Sequence, residues 1–114
     1  MTRGRHWEAM AREFLLTQGL RFVAANFARR FGEIDLIMLD GATLVFVEVK
    51  YRSSDRFGSS VEQVTPAKTR KIRLAAKAYL QICPHEVEAV RFDVVGISPE
   101  GTGYRFHWVK GAFQ

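Results

Sequence analysis

Asp35, Glu48 and Lys50 interrupt what would otherwise be two plain core strands. From Gly32 to Arg52 the chain holds two apolar runs, separated by the turn signal Asp40-Gly41 and broken by Glu33, Asp35, Glu48 and Lys50. Residues two apart on a strand share a face, so Glu48 and Lys50 project together with Leu44 and Phe46, while Val45, Val47 and Val49 point the other way. A two-residue turn at Asp40-Gly41 pairs Asp35 with Phe46 and leaves Glu48 its diagonal neighbour; a four-residue loop puts Asp35 opposite Glu48. Either even-numbered loop gathers Asp35, Glu48 and Lys50 on one face, and a three-residue loop separates them. Carboxylates on a mostly apolar sheet are costly unless paired or bound to a metal. Their oxygens suit Mg²⁺, and a neighbouring ammonium can orient a water or stabilise charge developing on a phosphate. The same triplet would also serve as a plain ion pair at a sheet edge. Glu33 shares the face of Asp35 and ranks below it, as an accessory ligand or as a counter-charge to Lys50 or Arg52.

The flanking elements must position these groups. Residues 4–18 read as an amphipathic helix, with Trp7, Met10, Ala11, Phe14 and Leu15 at helical spacing and Gly19 as its stop. Glu8 falls at the edge of that apolar stripe, where it reaches a site on the sheet or pairs with Arg12 one turn on. Residues 20–28 predict a first strand, with Phe22 and Phe27 entering the core. Arg29 and Arg30 follow in a turn, as solvated charges or a phosphate contact. The pattern disappears from Ser53 to Thr65, a loop in which Phe57 is expected to pack down as an anchor. Thr65-Pro66 is a helix start, and the helix should run to about Ile82, before Pro84. Its predicted buried stripe is Ile72, Ala75, Ala76, Tyr79 and Leu80. Arg70, Arg73 and Lys77 share an exposed flank, while Lys68 lies on the line of Ile72 and points toward the sheet. Strands over 87–97 and 104–109, joined by a turn at 98–103, complete the chain. Asp93 is expected to be the structural partner of a nearby basic group. His6, His85 and His107 form no pair at zinc-ligand spacing.

The chain has 114 residues, and its expected organisation is a single domain over 1–114. No run approaches the roughly 18 apolar residues of a membrane span, and the N-terminus lacks a signal-peptide core. Cys83 is the sole cysteine. Together these predict a cytoplasmic protein. A net charge of +5 and a pI near 9.8 favour an anionic partner. The excess is local: Lys50, Arg52, Arg56, Lys68, Arg70, Lys71, Arg73 and Lys77 face only Asp55 and Glu62 between residues 50 and 77.

The ordered set Gly32-Glu33-Ile34-Asp35-Leu36-Ile37, Leu44 to Lys50 with its Glu48-Val49-Lys50 triplet, Arg52, Phe57-Gly58, the basic helix after Pro66, and Arg91-Phe92-Asp93-Val94-Val95 resembles the bacterial UPF0102 (YraN-like) family over essentially the whole chain. That family is similar to the PD-(D/E)XK nucleases and close in plan to archaeal Holliday-junction resolvases. The resemblance implies a restriction-endonuclease-like α/β fold, in the order αβββαββ, with a mixed sheet of about five strands flanked by helices. It implies a Mg²⁺- or Mn²⁺-dependent endonuclease acting on DNA, with Asp35, Glu48 and Glu8 as metal ligands and Lys50 as a catalytic partner. Arg52, Lys68, Arg70 and Arg73 would hold the nucleic-acid backbone, and the resolvase likeness implies a homodimer. Trp7 stands where the family usually has glycine, an indole expected to narrow access near Glu8. The competing expectations are a nucleic-acid-binding protein that does not cleave, and a subunit whose partner supplies the chemistry.

Overall fold

A computed structural model describes residues 3–53 and 65–114. The elements are α1 (Arg3–Thr17), β1 (Arg21–Arg29), β2 (Gly32–Asp40), β3 (Thr43–Tyr51), α2 (Pro66–Ile82), β4 (Ala89–Glu100) and β5 (Gly103–Phe113). The order αβββαββ is the one the sequence predicts. The five strands form one sheet in the order β1-β2-β3-β4-β5. Neighbours are antiparallel except β3 and β4, which are parallel because α2 lies in the connection between them. Among the described residues no helix is long and apolar enough to cross a membrane.

Helix ends follow local chemistry. α1 closes with a glycine in the left-handed region, Gly19 at φ 96°, with Leu20 N–H donating to the Leu15 carbonyl and Gly19 N–H to that of Leu16. That pair of bonds satisfies carbonyls a helix end otherwise leaves open. α2 begins at the Thr65 cap, whose hydroxyl accepts from Lys68 N–H at 3.2 Å, with Pro66 at its first position.

Alternation along β3 divides the core as expected. Val45 and Val47 pack with Leu36, Met38, Val95 and Ile97 under Ala11 and Leu15 of α1. Leu44 and Phe46 pack with Ile37 and Leu39 under Ile72, Ala75, Ala76 and Tyr79 of α2. The sheet is therefore the middle of three layers.

Several boundaries and burials differ from the sequence reading. β4 runs on to Glu100 and β5 to Phe113, so the turn between them is only Gly101-Thr102. Pro99 sits inside the paired region, where hydrophobic pattern alone suggested a loop. Phe22, expected in the core, is 42% exposed, and its ring carries the Arg12 guanidinium 5.0 Å from the centroid. The reason is a register shift between Phe22 and Ala24, which breaks the two-residue period on β1. Phe27 does face the α2 layer, edge-on to Tyr79. Leu80 lies on the exposed flank of α2, at 38%, and Thr69 is buried in the stripe instead. Phe57 lies outside the described residues.

Candidate metal and phosphate site

The β2–β3 register settles how Asp35 meets Glu48. Asp40 pairs with Thr43 and Leu36 with Val47, so the turn is Gly41-Ala42 and the count along both strands brings Asp35 level with Glu48. This is the alignment expected of the longer loop, reached by a tight turn one residue further on. Cα pairing stops at Leu36, and the Asp35 carboxylate takes over as partner: its Oδ2 accepts from Val49 N–H at 2.8 Å. Asp35 also marks a break in alternation. Ile34 packs with the α2 layer, whereas Leu36 packs with the α1 layer. On β1, Asn26 stands between the residues paired with Ile34 and Leu36 and holds φ at 55°, a left-handed conformation that asparagine tolerates better than most residues. A kinked pair of strands lets one aspartate meet side chains from both helical layers.

Glu8 comes from the α1 side. A side-chain hydrogen bond joins it to Asp35. Ligand oxygens of Glu8, Glu33 and Asp35 all lie within 4.8 Å of one another. The Arg12 guanidinium lies over the Phe22 ring, 5.0 Å from its centroid. From the α2 side come Lys68 and Lys71, which with Gly32, Glu33, Asp35, Glu48 and Ile72 line a cleft of about 170 Å³. Gly32 makes that approach possible. A Cβ on it would lie 2.6 Å from the Lys71 carbonyl oxygen, closer than real contacts allow.

Glu48 is buried at 4% exposure, and both lysines address the same oxygen, Oε1: Lys68 Nζ at 2.5 Å and Lys50 Nζ at 3.8 Å. The electrostatics follow from this crowding. Burial first, then the charge of Glu48 and then Glu8, push the Asp35 carboxyl up to about 8, against the stabilising Val49 N–H. Burial and the adjacent Lys68 ammonium pull Lys50 below the ordinary lysine value. Burial also works against Lys68, but its contact with Glu48 prevails and raises it. Lys68 is thus the nearer counter-ion of Glu48, and Lys50 is held beside it as the weaker cation.

Asp35, Glu48, Lys50 and Glu8 are brought together, and Lys68 joins them from α2, pointing toward the sheet as its alignment with Ile72 predicts. Arg52 is exposed just past β3, its backbone N–H donating to Ile97. Arg70 and Arg73 are exposed on α2, and the Arg73 Nε donates to the carbonyl of Gln114. Sequence reasoning missed Gly32 and Lys71. The signal for Lys71 was its place three residues after Lys68, on the same helical face. A group of carboxylate oxygens from two elements, within 4.8 Å of one another, is the donor chemistry that a hard divalent cation takes. Glu8, Glu33 and Asp35 supply that donor set, and Glu48, paired with Lys68, lines the same cleft as Glu33 and Asp35.

Asp93 is a structural partner, as expected. Fully buried, it accepts from Arg91 Nε and Nη2, from Trp108 Nε1 and from Gly111 N–H, all at 2.9 to 3.0 Å.

Fold and cluster together define a small basic α/β protein of restriction-endonuclease-like plan. The chain belongs to UPF0102: the model of this family, described as "Uncharacterised protein family UPF0102", matches residues 7–97. It is similar to a UPF0102 protein of Klebsiella pneumoniae, 47% identical over 112 residues that cover 96% of this chain and 84% of the relative. A UPF0102 protein of Vibrio vulnificus is 44% identical over 113 residues, covering 96% and 89%. One from Methylococcus capsulatus is 42% identical over 112 residues, covering 97% and 89%.

Proposed function

We propose that this chain is a Mg²⁺- or Mn²⁺-dependent nuclease that hydrolyses DNA phosphodiester bonds, on branched or repair intermediates. The observation that carries the reading is the gathering of Glu8, Glu33 and Asp35 oxygens within 4.8 Å of one another, with Glu48 lining the cleft of Glu33 and Asp35 beside two lysines of unequal basicity. Asp35, Glu48 and Glu8 hold the ion in this reading, with Glu33 as accessory. A divalent ion bound there would polarise a phosphoryl oxygen and make a water more acidic. Lys50, desolvated and the weaker competitor for Glu48, orients the attacking water or meets the charge that builds on the phosphate. Lys68 keeps its charge and holds the phosphate at the cleft, with Arg52, Arg70 and Arg73 extending the cationic track along the backbone. In this reading the track meets phosphates, so the expected recognition is of backbone and shape.

A second reading, a nucleic-acid-binding protein that does not cleave, is favoured by one observation. The 2.5 Å Lys68–Glu48 pair already gives the buried carboxylate a counter-charge. Cleavage of labelled single-stranded, duplex, flap and four-way-junction DNA with Mg²⁺ or Mn²⁺ separates the two. Metal-dependent cutting that disappears in Lys50→Ala, while binding persists, is the expected result. Binding without cutting on every substrate would sink the nuclease and leave the binding protein.

A further inference from the structure

Glu48 carries a charge that must stay matched. Its side chain is 4% exposed, and a carboxylate that deep in the fold is costly to leave without a cation. Lys68 Nζ fills that place, 2.5 Å from Oε1. Lys50 Nζ lies 3.8 Å from the same oxygen, beyond hydrogen-bond reach. The two ends of the Lys68–Glu48 contact differ in freedom. Lys68 sits in the first turn of α2, keeps 43% of its side chain exposed, and lines the cleft with Lys71, Glu33 and Asp35. Its flexible stem lets the ammonium turn to a new partner in the cleft without moving the helix, while Glu48 stays on β3.

An ion that takes Glu48 as a ligand has to displace Lys68. Oxygens of Glu8, Glu33 and Asp35 lie within 4.8 Å of one another, whereas Glu48 lines the cleft with its Oε1 given to lysine. If Lys68 is drawn off alone, Glu48 loses its nearest counter-charge. If the ion arrives alone, the ammonium loses its carboxylate and has only water in exchange. A phosphate in the cleft removes both costs, because it offers Lys68 an anion as Glu48 takes the cation. Each ligand then favours the other, and linkage makes the effect reciprocal.

We propose that Lys68 is an exchangeable counter-ion, which pairs with Glu48 in the free protein and passes to a backbone phosphate when DNA binds, so that divalent metal and DNA bind cooperatively. This rests on the nuclease reading for the ion and the phosphate, but the exchange itself needs no cleavage.

Binding of a labelled duplex, measured by anisotropy in EDTA and in Mn²⁺ at matched ionic strength, reads the coupling. Lys50→Ala, the variant expected to bind without cutting, keeps the probe whole. A divalent ion acting only as a counter-ion of DNA competes for phosphates and loosens such complexes, so the sign of the change is diagnostic. Mn²⁺ is expected to tighten binding by the Lys50→Ala protein about fivefold. Adding either Glu48→Gln or Lys68→Met to it should abolish that gain. An ion that merely bridged carboxylates and phosphate would keep its effect without the ammonium. Loosened or unchanged binding by the Lys50→Ala protein, or tightening that survives Lys68→Met, would therefore overturn the exchange. Wild-type cutting of the same duplex is scored in parallel. Cooperative binding by a protein that cuts nothing would uphold the exchange and sink the nuclease. Metal-dependent cutting without Mn²⁺-tightened binding would do the reverse.

Discussion

Asp93 and Glu48 are buried carboxylates on adjacent parallel strands, one register step apart, since Asp93 is level with Val47 and Val94 with Glu48. They point to opposite layers and are satisfied in opposite ways. Asp93 accepts four hydrogen bonds from donors fixed by the fold: two from Arg91, one from the Trp108 indole and one from the Gly111 backbone. Arg91 is itself braced by Asp40 at 3.1 Å. Glu48 is held by lysines, and the nearer one, Lys68, keeps 43% of its side chain exposed. An ammonium on a flexible stem with solvent behind it can leave, whereas a planar guanidinium locked between two aspartates cannot do so cheaply. The difference teaches which buried charge is architecture and which is a site: saturation by rigid donors marks the first, a replaceable counter-ion the second.

The contrast is sharpest in stability. Asp93→Ala strands the Arg91 charge, the indole N–H and a backbone N–H together, and should cost about 3–5 kcal/mol in urea unfolding. Asp35→Asn should cost far less in the metal-free protein, because it removes a carboxyl whose ionisation burial opposes. Comparable losses in the two variants would erase the distinction.

Gly32→Ala comes next. The added methyl meets backbone rather than a flexible side-chain tip, so α2 must shift, at about 1–3 kcal/mol. The shift should carry Lys68 off Glu48, so the variant should fold yet bind DNA and metal differently from wild type. Lys68→Met is the smaller perturbation of the same contact. With no ammonium on Oε1, Mn²⁺ should bind more tightly, by about 1 kcal/mol or roughly fivefold in calorimetry. Unchanged or weaker affinity would show that Lys68 does not compete for Glu48.

The gentlest test is pH. The Asp35 carboxyl is raised from 3.8 to about 8 in the folded protein. Between those values the unfolded chain has released the proton that the native state keeps, so metal-free stability should fall as pH rises through that window and level off above it. Asp35→Asn should flatten the slope over the same range, read from urea midpoints at stepped pH.

Much of this was legible in the residues. Strand alternation from Leu44 to Lys50 fixed which side chains share the α2 face, and Thr65-Pro66 marked the start of α2 to the residue. Lys68 was aligned with Ile72 and so aimed at the sheet. Other features had no signal in one dimension. The period-two rule cannot foresee the kink at Asn26 and Asp35, because it presumes the regularity that the kink breaks. Gly32 read as a turn residue, yet its role is to admit the Lys71 backbone, a contact made across 39 positions of sequence. The burial of Thr69 in place of Leu80 depends on how α2 rolls on the sheet, and helical spacing leaves that free by one residue.

Titrating Mn²⁺ into wild type, Asp35→Asn and Glu48→Gln tests most directly that this end of the sheet is completed by a cation. The account predicts saturable binding by wild type that is lost in both variants, with all three proteins still folded by circular dichroism. Binding unaltered by either substitution, or absent from folded wild type, would contradict it.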